Sequence, residues 1–362
     1  MKHCIIGGGN IGTLMAADLR KKGEDVIVYT SHPEQWTGKI EVYGCEDDLL
    51  FVVSGVTVVS DLERAILGAD YLWVTWPSFL FGQLAEELVH CTYIPQNIGV
   101  VPGTGGAEFS FLPLIRRGCT LLGLQRVHSI ARIRENGKSV YQLGRKKELA
   151  VAAIPQSRTQ FFSRQIENWF DIPCRELPNY LSVTLTPSNP ILHTSRLYSM
   201  LRKYDRGQVF DRNYLFYEEW DDSASEICLA CDAELMRLCK CFNRLDLQNV
   251  LSLKVYYESA VPRDLTKKIR SIDAFRGILS PMKRFENGWI PDWDSRYFRA
   301  DFCFGLKILI DIARVAGVQT PEMDRIWKWY QETMSGERPE EPITYFSIPV
   351  TNRDELYNIY IQ

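Results

Sequence analysis

No apolar run in the 362 residues approaches the ~20 needed to cross a bilayer, so no membrane association is expected. Basic residues are not in excess either. A net charge of -3 leaves no electrostatic footprint for a nucleic acid. Low-complexity tracts and internal repeats are missing, which excludes a solenoid or a disordered scaffold as the organising plan. The one short apolar stretch at the start, Cys4-Ile5-Ile6, runs straight into glycines without a small-residue cleavage site. It reads as a buried strand and not as a leader, and a cytoplasmic location is the corresponding expectation.

What is present is an ordinary soluble composition, 46% hydrophobic and 24% charged, in a chain longer than one hydrophobic core usually organises. Two domains are therefore expected. Most of the ten cysteines are scattered, but Cys228, Cys231, Cys239 and Cys241 cluster. Their C-x-x-C-x7-C-x-C spacing matches no standard zinc knuckle. They also share a helical pattern with Ile227, Leu229, Leu235 and Leu238, so the reading is thiols that fill a core, with no metal.

Short β-branched runs alternate with helical patterns through the first half. The strands expected are 2–6, 25–29, 71–75, 98–101 and 119–124, with 139–143 and 147–153 extending the same sheet. Helical patterns fall at 11–22, 62–65, 81–90 and 109–117. Beyond 186–190 the character changes to helices, at 191–204, 221–242, 249–259, 302–315 and 322–331. These patterns predict an α/β Rossmann-type N-terminal domain with a mostly parallel sheet over residues 1–186, and an all-α C-terminal domain over 187–362 whose tail packs on the surface.

The strongest local motif is Gly7-Gly8-Gly9-Asn10-Ile11-Gly12, a G-x-G-x-x-G that follows a strand and opens a helix. Gly7 permits the tight turn, Gly9 admits a pyrophosphate close to the backbone, and Gly12 lets helix and strand pack. Asn10 and Ile11 bring the first free amides of the helix to the anion. A nicotinamide dinucleotide is the expected cofactor. At the end of the second strand, an acidic residue usually binds the ribose hydroxyls of NAD. Here Thr30-Ser31-His32 stand instead, with Lys39 following, which tilts the expectation toward NADPH over NADH.

Two later segments hold residues suited to chemistry. His193 closes Thr186-Pro187-Ser188-Asn189-Pro190-Ile191-Leu192-His193 at the expected domain junction, where a substrate would meet the nicotinamide. Taken alone it reads equally as a structural or capping histidine. In Asp294-Ser295-Arg296-Tyr297-Phe298-Arg299-Ala300-Asp301, charges are embedded among aromatics. They suit either an internal ion pair or a carboxylate fork beside an acid that orients a histidine.

With Gly7–Gly12, the run Pro102-Gly103-Thr104-Gly105-Gly106-Ala107, Asn189-Pro190-x-x-His193, and Arg296-Tyr297-Phe298-x-x-Asp301 before Gly305-Leu306, the chain resembles the octopine/nopaline (opine) dehydrogenases along nearly its full length. The resemblance implies a helical half of the 6-phosphogluconate dehydrogenase kind. It also implies reductive condensation of an L-amino acid, or another amine, with a 2-oxo acid through an imine, using NADH or NADPH. By the same resemblance His193 and Asp301 are the proton-transfer pair and Arg296 binds the oxo-acid carboxylate. Gln125 and Gly105 would line the substrate pocket. Thr194 and His128 stand where many members carry proline, and His128 reads as a pocket or surface residue.

Two other readings fit the same plan. A ketone reductase of the ketopantoate or glycerol-3-phosphate kind would use a lysine, for which Lys254, Lys267 and Lys268 are candidates. A non-catalytic NAD(P) sensor would need no carboxylate fork. Tyr198, Tyr214, Trp220 and Trp293 suit either a large pocket or a core. The oligomeric state stays open, a homodimer included.

Overall fold

The apolar run Lys2–Ile6 becomes β1, an inner strand of an eight-stranded sheet, because Cys4, Ile5 and Ile6 need cover on both faces. In chain order the strands are β2 (Asp25–Tyr29), β3 (Lys39–Tyr43), β4 (Leu49–Ser54), β5 (Thr57–Val59), β6 (Tyr71–Val74), β7 (Asn97–Val100), β8 (Thr120–Leu124), β9 (Ser129–Glu135), β10 (Ser139–Arg145), β11 (Leu149–Ile154), β12 (Cys174–Glu176), β13 (Met282–Phe285) and β14 (Gly288–Pro291). The computed structural model describes residues 1–361.

The large sheet runs β12-β11-β8-β7-β6-β1-β2-β5. Its neighbours pair in parallel except where β11 meets β8. A second sheet, β4-β3-β10-β9, lies apart from it. Ser139–Arg145 therefore does not extend the main sheet as its pattern suggested; it pairs with β3 and β9. The helix Asn10–Lys21 packs against both sheets, and Gly12 to Leu19 are buried without a break. A helix covered on all sides has no polar face to present. Its Leu14, Met15 and Leu19 join Ile5, Val28, Val42, Val140, Trp73 and Phe170 in one core.

By compactness the chain divides into Met1–Thr184 with the segment from Tyr357 on, and Leu185–Leu356. The last turn of the helix Arg353–Tyr360 thus counts with the first unit and not with the C-terminal half. The second unit is helical, with a two-stranded ribbon, β13–β14, as its exception. Its helices Asn189–Leu201 and Asp222–Cys241 pack on each other. The expected helix 302–315 is two pieces: a π-helical stretch Tyr297–Leu306 continues into Lys307–Val315. The pattern at 249–259 yields one helical turn, Leu253–Tyr256. Among the described residues no helix is long and apolar enough to cross a membrane.

Candidate active site

The glycine turn has the shape a pyrophosphate requires. A Cβ on Gly12 would fall 1.9 Å from the Gly7 carbonyl oxygen, so only glycine lets this helix sit so near the strand. Gly7 has φ +110°, a backbone conformation that side chains rarely adopt. A Cβ on Gly9 would meet nothing within 4 Å, which leaves the space beside the helix start open. No side chain caps that start, so its leading amides keep their donors for an anion. These residues fit a dinucleotide phosphate. The Trp36 indole lies against Gly8 and the Trp76 indole against Gly7, neither foreseen from sequence. Ile11 is half-buried, and the Asn10 side chain accepts the Ile133 amide at 2.8 Å.

At the end of β2, Thr30 is half-buried and Ser31 exposed, and the Thr30 hydroxyl accepts the His32 amide. His32 Nδ1 lies 3.2 Å from Glu34 Oε1. Lys39 opens β3, and its exposed ammonium donates to Glu41 at 2.8 Å.

In the second unit, proline at the first turn and the Ser188 backbone start the helix Asn189–Leu201, which carries His193 on its buried side. Asp301 lies in the π-helical stretch, where the wider turn re-aims side chains relative to an α-helix. The two elements come together because residue 305 is glycine: a Cβ there would lie 2.7 Å from Pro190 Cγ. Across 108 residues of sequence, His193 Nδ1 then reaches Asp301 Oδ2 at 2.8 Å. With the Asp301 carboxylate as acceptor, Nδ1 carries the proton and Nε2 is left for a second partner.

That nitrogen is 2.7 Å from the Tyr217 hydroxyl. Tyr297 stacks on the imidazole at 4.5 Å between centroids and Phe216 meets it edge-on at 5.3 Å. His193 is 3% exposed, so the ring is fixed on every side. Sequence reasoning missed Tyr217. Its only signal was membership in the aromatic run Phe216-Tyr217, which does not point at a histidine 24 residues away.

Of the other residues singled out, Arg296 is exposed directly before Tyr297, and Gln125 and Gly105 are half-buried in the first unit. His128 is a correction. It is neither a pocket nor a surface residue but wholly buried, with Nε2 3.1 Å from Asp18 Oδ2 and its ring stacked on Phe170. Thr194 is accommodated simply, its hydroxyl donating to the Pro190 carbonyl at 2.5 Å.

The remaining candidates have structural settings. Lys254 and Lys267 are exposed, and Lys268 pairs with Glu258 at 3.1 Å. Tyr198, Trp220 and Trp293 are buried core residues, and Tyr214 is half-buried. Cys228 and Cys231 are fully buried, and burial raises both thiols above their usual range, so they stay protonated. Among the described residues no cluster of metal-ligating side chains occurs.

Glu108, just past the Pro102–Ala107 run, was also missed. Thr184 and Tyr360 both donate to its Oε1, at 2.5 and 2.8 Å, while Oε2 has no hydrogen-bond partner. Complete burial pushes this carboxyl up to about 7.

Comparison with known proteins finds matches to both halves of the chain. Residues 176–334 match the alpha-helical domain of the NAD/NADP octopine/nopaline dehydrogenases. Residues 2–111 match the N-terminus of NAD-dependent glycerol-3-phosphate dehydrogenases. A tauropine dehydrogenase from Arabella iricolor is 26% identical, the alignment covering 92% of this chain and 91% of the relative. An octopine dehydrogenase solved with NADH and L-arginine has the same fold, with a TM-score of 0.79 at 23% identity, covering 92% of this chain and 90% of that one. A yersinopine dehydrogenase with NADP+ bound superposes with a TM-score of 0.68 at 11% identity, covering 99% and 97% of the two chains. The second half of the chain thus matches the helical domain of the octopine/nopaline dehydrogenases, and nine-tenths of its length is similar to a tauropine dehydrogenase.

Proposed function

We propose that this protein joins the amino group of an L-amino acid, or a related amine, to a 2-oxo acid and reduces the resulting imine. The observation that carries the reading is the buried His193–Asp301 pair. Making an imine near neutral pH requires a proton to be taken from an ammonium group and another delivered to a departing hydroxyl, and imidazole suits both. Asp301 keeps His193 in one tautomer and one orientation for that exchange. Arg296, exposed and planar, grips the oxo-acid carboxylate with two parallel N–H groups. Gln125 and Gly105 contribute to the pocket for the amine. Gly7, Gly9 and Gly12 and the amides of Asn10 and Ile11 would hold the nicotinamide dinucleotide, which would supply the hydride when bound. The protein's part is to hold the reactants and move the protons.

We further propose that NADH is preferred to NADPH. The sequence-based tilt toward NADPH rested on the missing carboxylate at the end of β2 and on the hydroxyls and imidazole of Thr30, Ser31 and His32, with Lys39 adding charge. Glu41 neutralises Lys39, and Glu34 supplies a carboxylate beside His32. A 2′-phosphate would meet negative charge there.

The test is oxidation of NADH and of NADPH followed by absorbance, with a panel of 2-oxo acids in the presence and absence of L-amino acids. Oxidation that requires both partners, faster with NADH, is the expected outcome. Oxidation with the oxo acid alone would make the protein a simple ketone reductase.

A further inference from the structure

We propose that Tyr217 is the group through which His193 exchanges its proton with the substrate, as the outer member of an Asp301–His193–Tyr217 relay. This deepens the reading of His193 as the acid–base residue and rests on it. Both ring nitrogens of His193 are committed, Nδ1 to Asp301 at 2.8 Å and Nε2 to the Tyr217 hydroxyl at 2.7 Å. Tyr297 and Phe216 cover the ring as well. The imidazole has no polar edge left for a substrate, so a proton leaving Nε2 passes to the phenol oxygen first.

The phenol does not swing aside cheaply. Its ring stacks on Phe275 at 4.0 Å and 15°, and it is 5% exposed. Its backbone is clamped by Arg196, which lies on the His193 helix. Arg196 Nε donates to the Phe216 carbonyl at 3.2 Å, Nη2 to the Glu219 carbonyl at 2.7 Å, and Nη1 to the Asp221 carboxylate at 3.1 Å. Arg270 donates to the Trp220 carbonyl at 2.6 Å. A single helix therefore carries the base and pins the segment that carries the phenol, which keeps their spacing fixed.

The proton count closes. When the imidazolium is the donor, its Nε2 proton moves to the Tyr217 oxygen while the phenol gives its own proton to the hydroxyl of the carbinolamine. The C–O bond breaks with its electron pair on oxygen, water leaves, and the nitrogen lone pair forms the C=N bond of an iminium. His193 ends neutral, Tyr217 is unchanged, and nothing is oxidised or reduced. In the opposite sense, the phenol passes its proton to Nε2 as it takes one from the substrate ammonium, which frees the amine to attack.

Tyr217→Phe removes the oxygen and keeps the ring on Phe275. The expected result is a kcat roughly 10²-fold lower with KM moved less than about threefold, as for loss of a general acid–base group. The solvent deuterium isotope effect should grow and a limb of the pH–rate profile should shift, neither of which a packing role would produce. His193→Ala is measured alongside. A Tyr217→Phe enzyme with wild-type kcat, isotope effect and pH profile, beside an inactive His193→Ala, overturns the relay and leaves the proposed function standing. Activity in both variants overturns the role of His193 and the relay with it. Nitrogen-15 NMR of labelled histidines gives a readout independent of turnover and of the substrate used. The Nε2 resonance and titration of His193 should change in Tyr217→Phe while the other four histidines do not. An unchanged Nε2 signal overturns the proposal.

Discussion

His128 and His193 are both buried, and each sets one ring nitrogen on an aspartate: Nε2 on Asp18 at 3.1 Å in the first unit, Nδ1 on Asp301 at 2.8 Å in the second. The difference lies in the opposite nitrogen. Nδ1 of His128 has no hydrogen-bond partner and the ring is stacked on Phe170, so the pair ends in apolar core. Nε2 of His193 continues to a hydroxyl. A histidine–carboxylate pair is thus not by itself a site. What distinguishes a proton path from a buried brace is whether the second nitrogen has somewhere to send a proton.

Four experiments break or sharpen that contrast, from the largest effect to the smallest. His193→Ala should lower kcat by about 10³-fold or more while NADH binding, followed by fluorescence quenching, stays near the wild-type value. Measurable cofactor affinity without turnover is the signature of lost proton transfer. His128→Ala should behave in the opposite way, because it strands the Asp18 carboxylate in the core. It should cost about 3 kcal/mol of stability, read from denaturant midpoints, with kcat per folded molecule unchanged. A loss of kcat at full stability would mean that the first-unit pair is more than a brace.

Glu108→Gln extends the contrast to a buried acid that no cation faces. The carboxyl is raised from its ordinary 4.5 to about 7, so the wild-type protein is at its most stable, in this respect, below 4.5 and loses stability as the pH rises through about 7. The amide cannot ionise. The variant should match wild type in acid and exceed it above about 7, by at most about 3 kcal/mol, in paired thermal melts across pH. Gly305→Ala tests the close approach that makes the second pair. Forcing a methyl toward Pro190 should cost about 1–2 kcal/mol and weaken the His193–Asp301 bond, with a fall in kcat of roughly tenfold. Full kcat in this variant would show that the two elements yield without disturbing the pair.

The parts legible in sequence are those whose causes are local. Gly7, Gly9 and Gly12 are fixed by what a tight turn and a close helix demand, and β1, β2 and β6 to β8 announce themselves as apolar runs bounded by turns. β3 and β4 do not. One, Lys39–Tyr43, alternates buried Ile40 and Val42 with more exposed neighbours over a single short run that was passed over, and the other leaves Leu49, Leu50 and Val52 exposed, so the second sheet went unseen. The helix Thr159–Phe170 was also missed, since its apolar stripe is built mainly from aromatics. At the site, the segments of His193 and Asp301 stood out by residue type, but only a family resemblance paired the two; their spacing of 108 residues carries no periodic signal. Tyr217 and Glu108 were invisible for the same reason. Each owes its setting to tertiary packing, which no window of neighbouring residues encodes.

The segment from Tyr357 on belongs to the first unit, and Tyr360 closes it by donating to Glu108. The second unit is therefore an insertion, joined covalently near Thr184 and again near Leu356. The two crossovers are not equivalent. A cut near Leu356 leaves the second unit joined covalently to the first at Thr184, whereas a cut near Thr184 leaves it joined only through the packing of the segment from Tyr357 on. A protein nicked near Thr184 should migrate as two fragments in denaturant and as one particle in buffer for as long as that terminal segment stays docked.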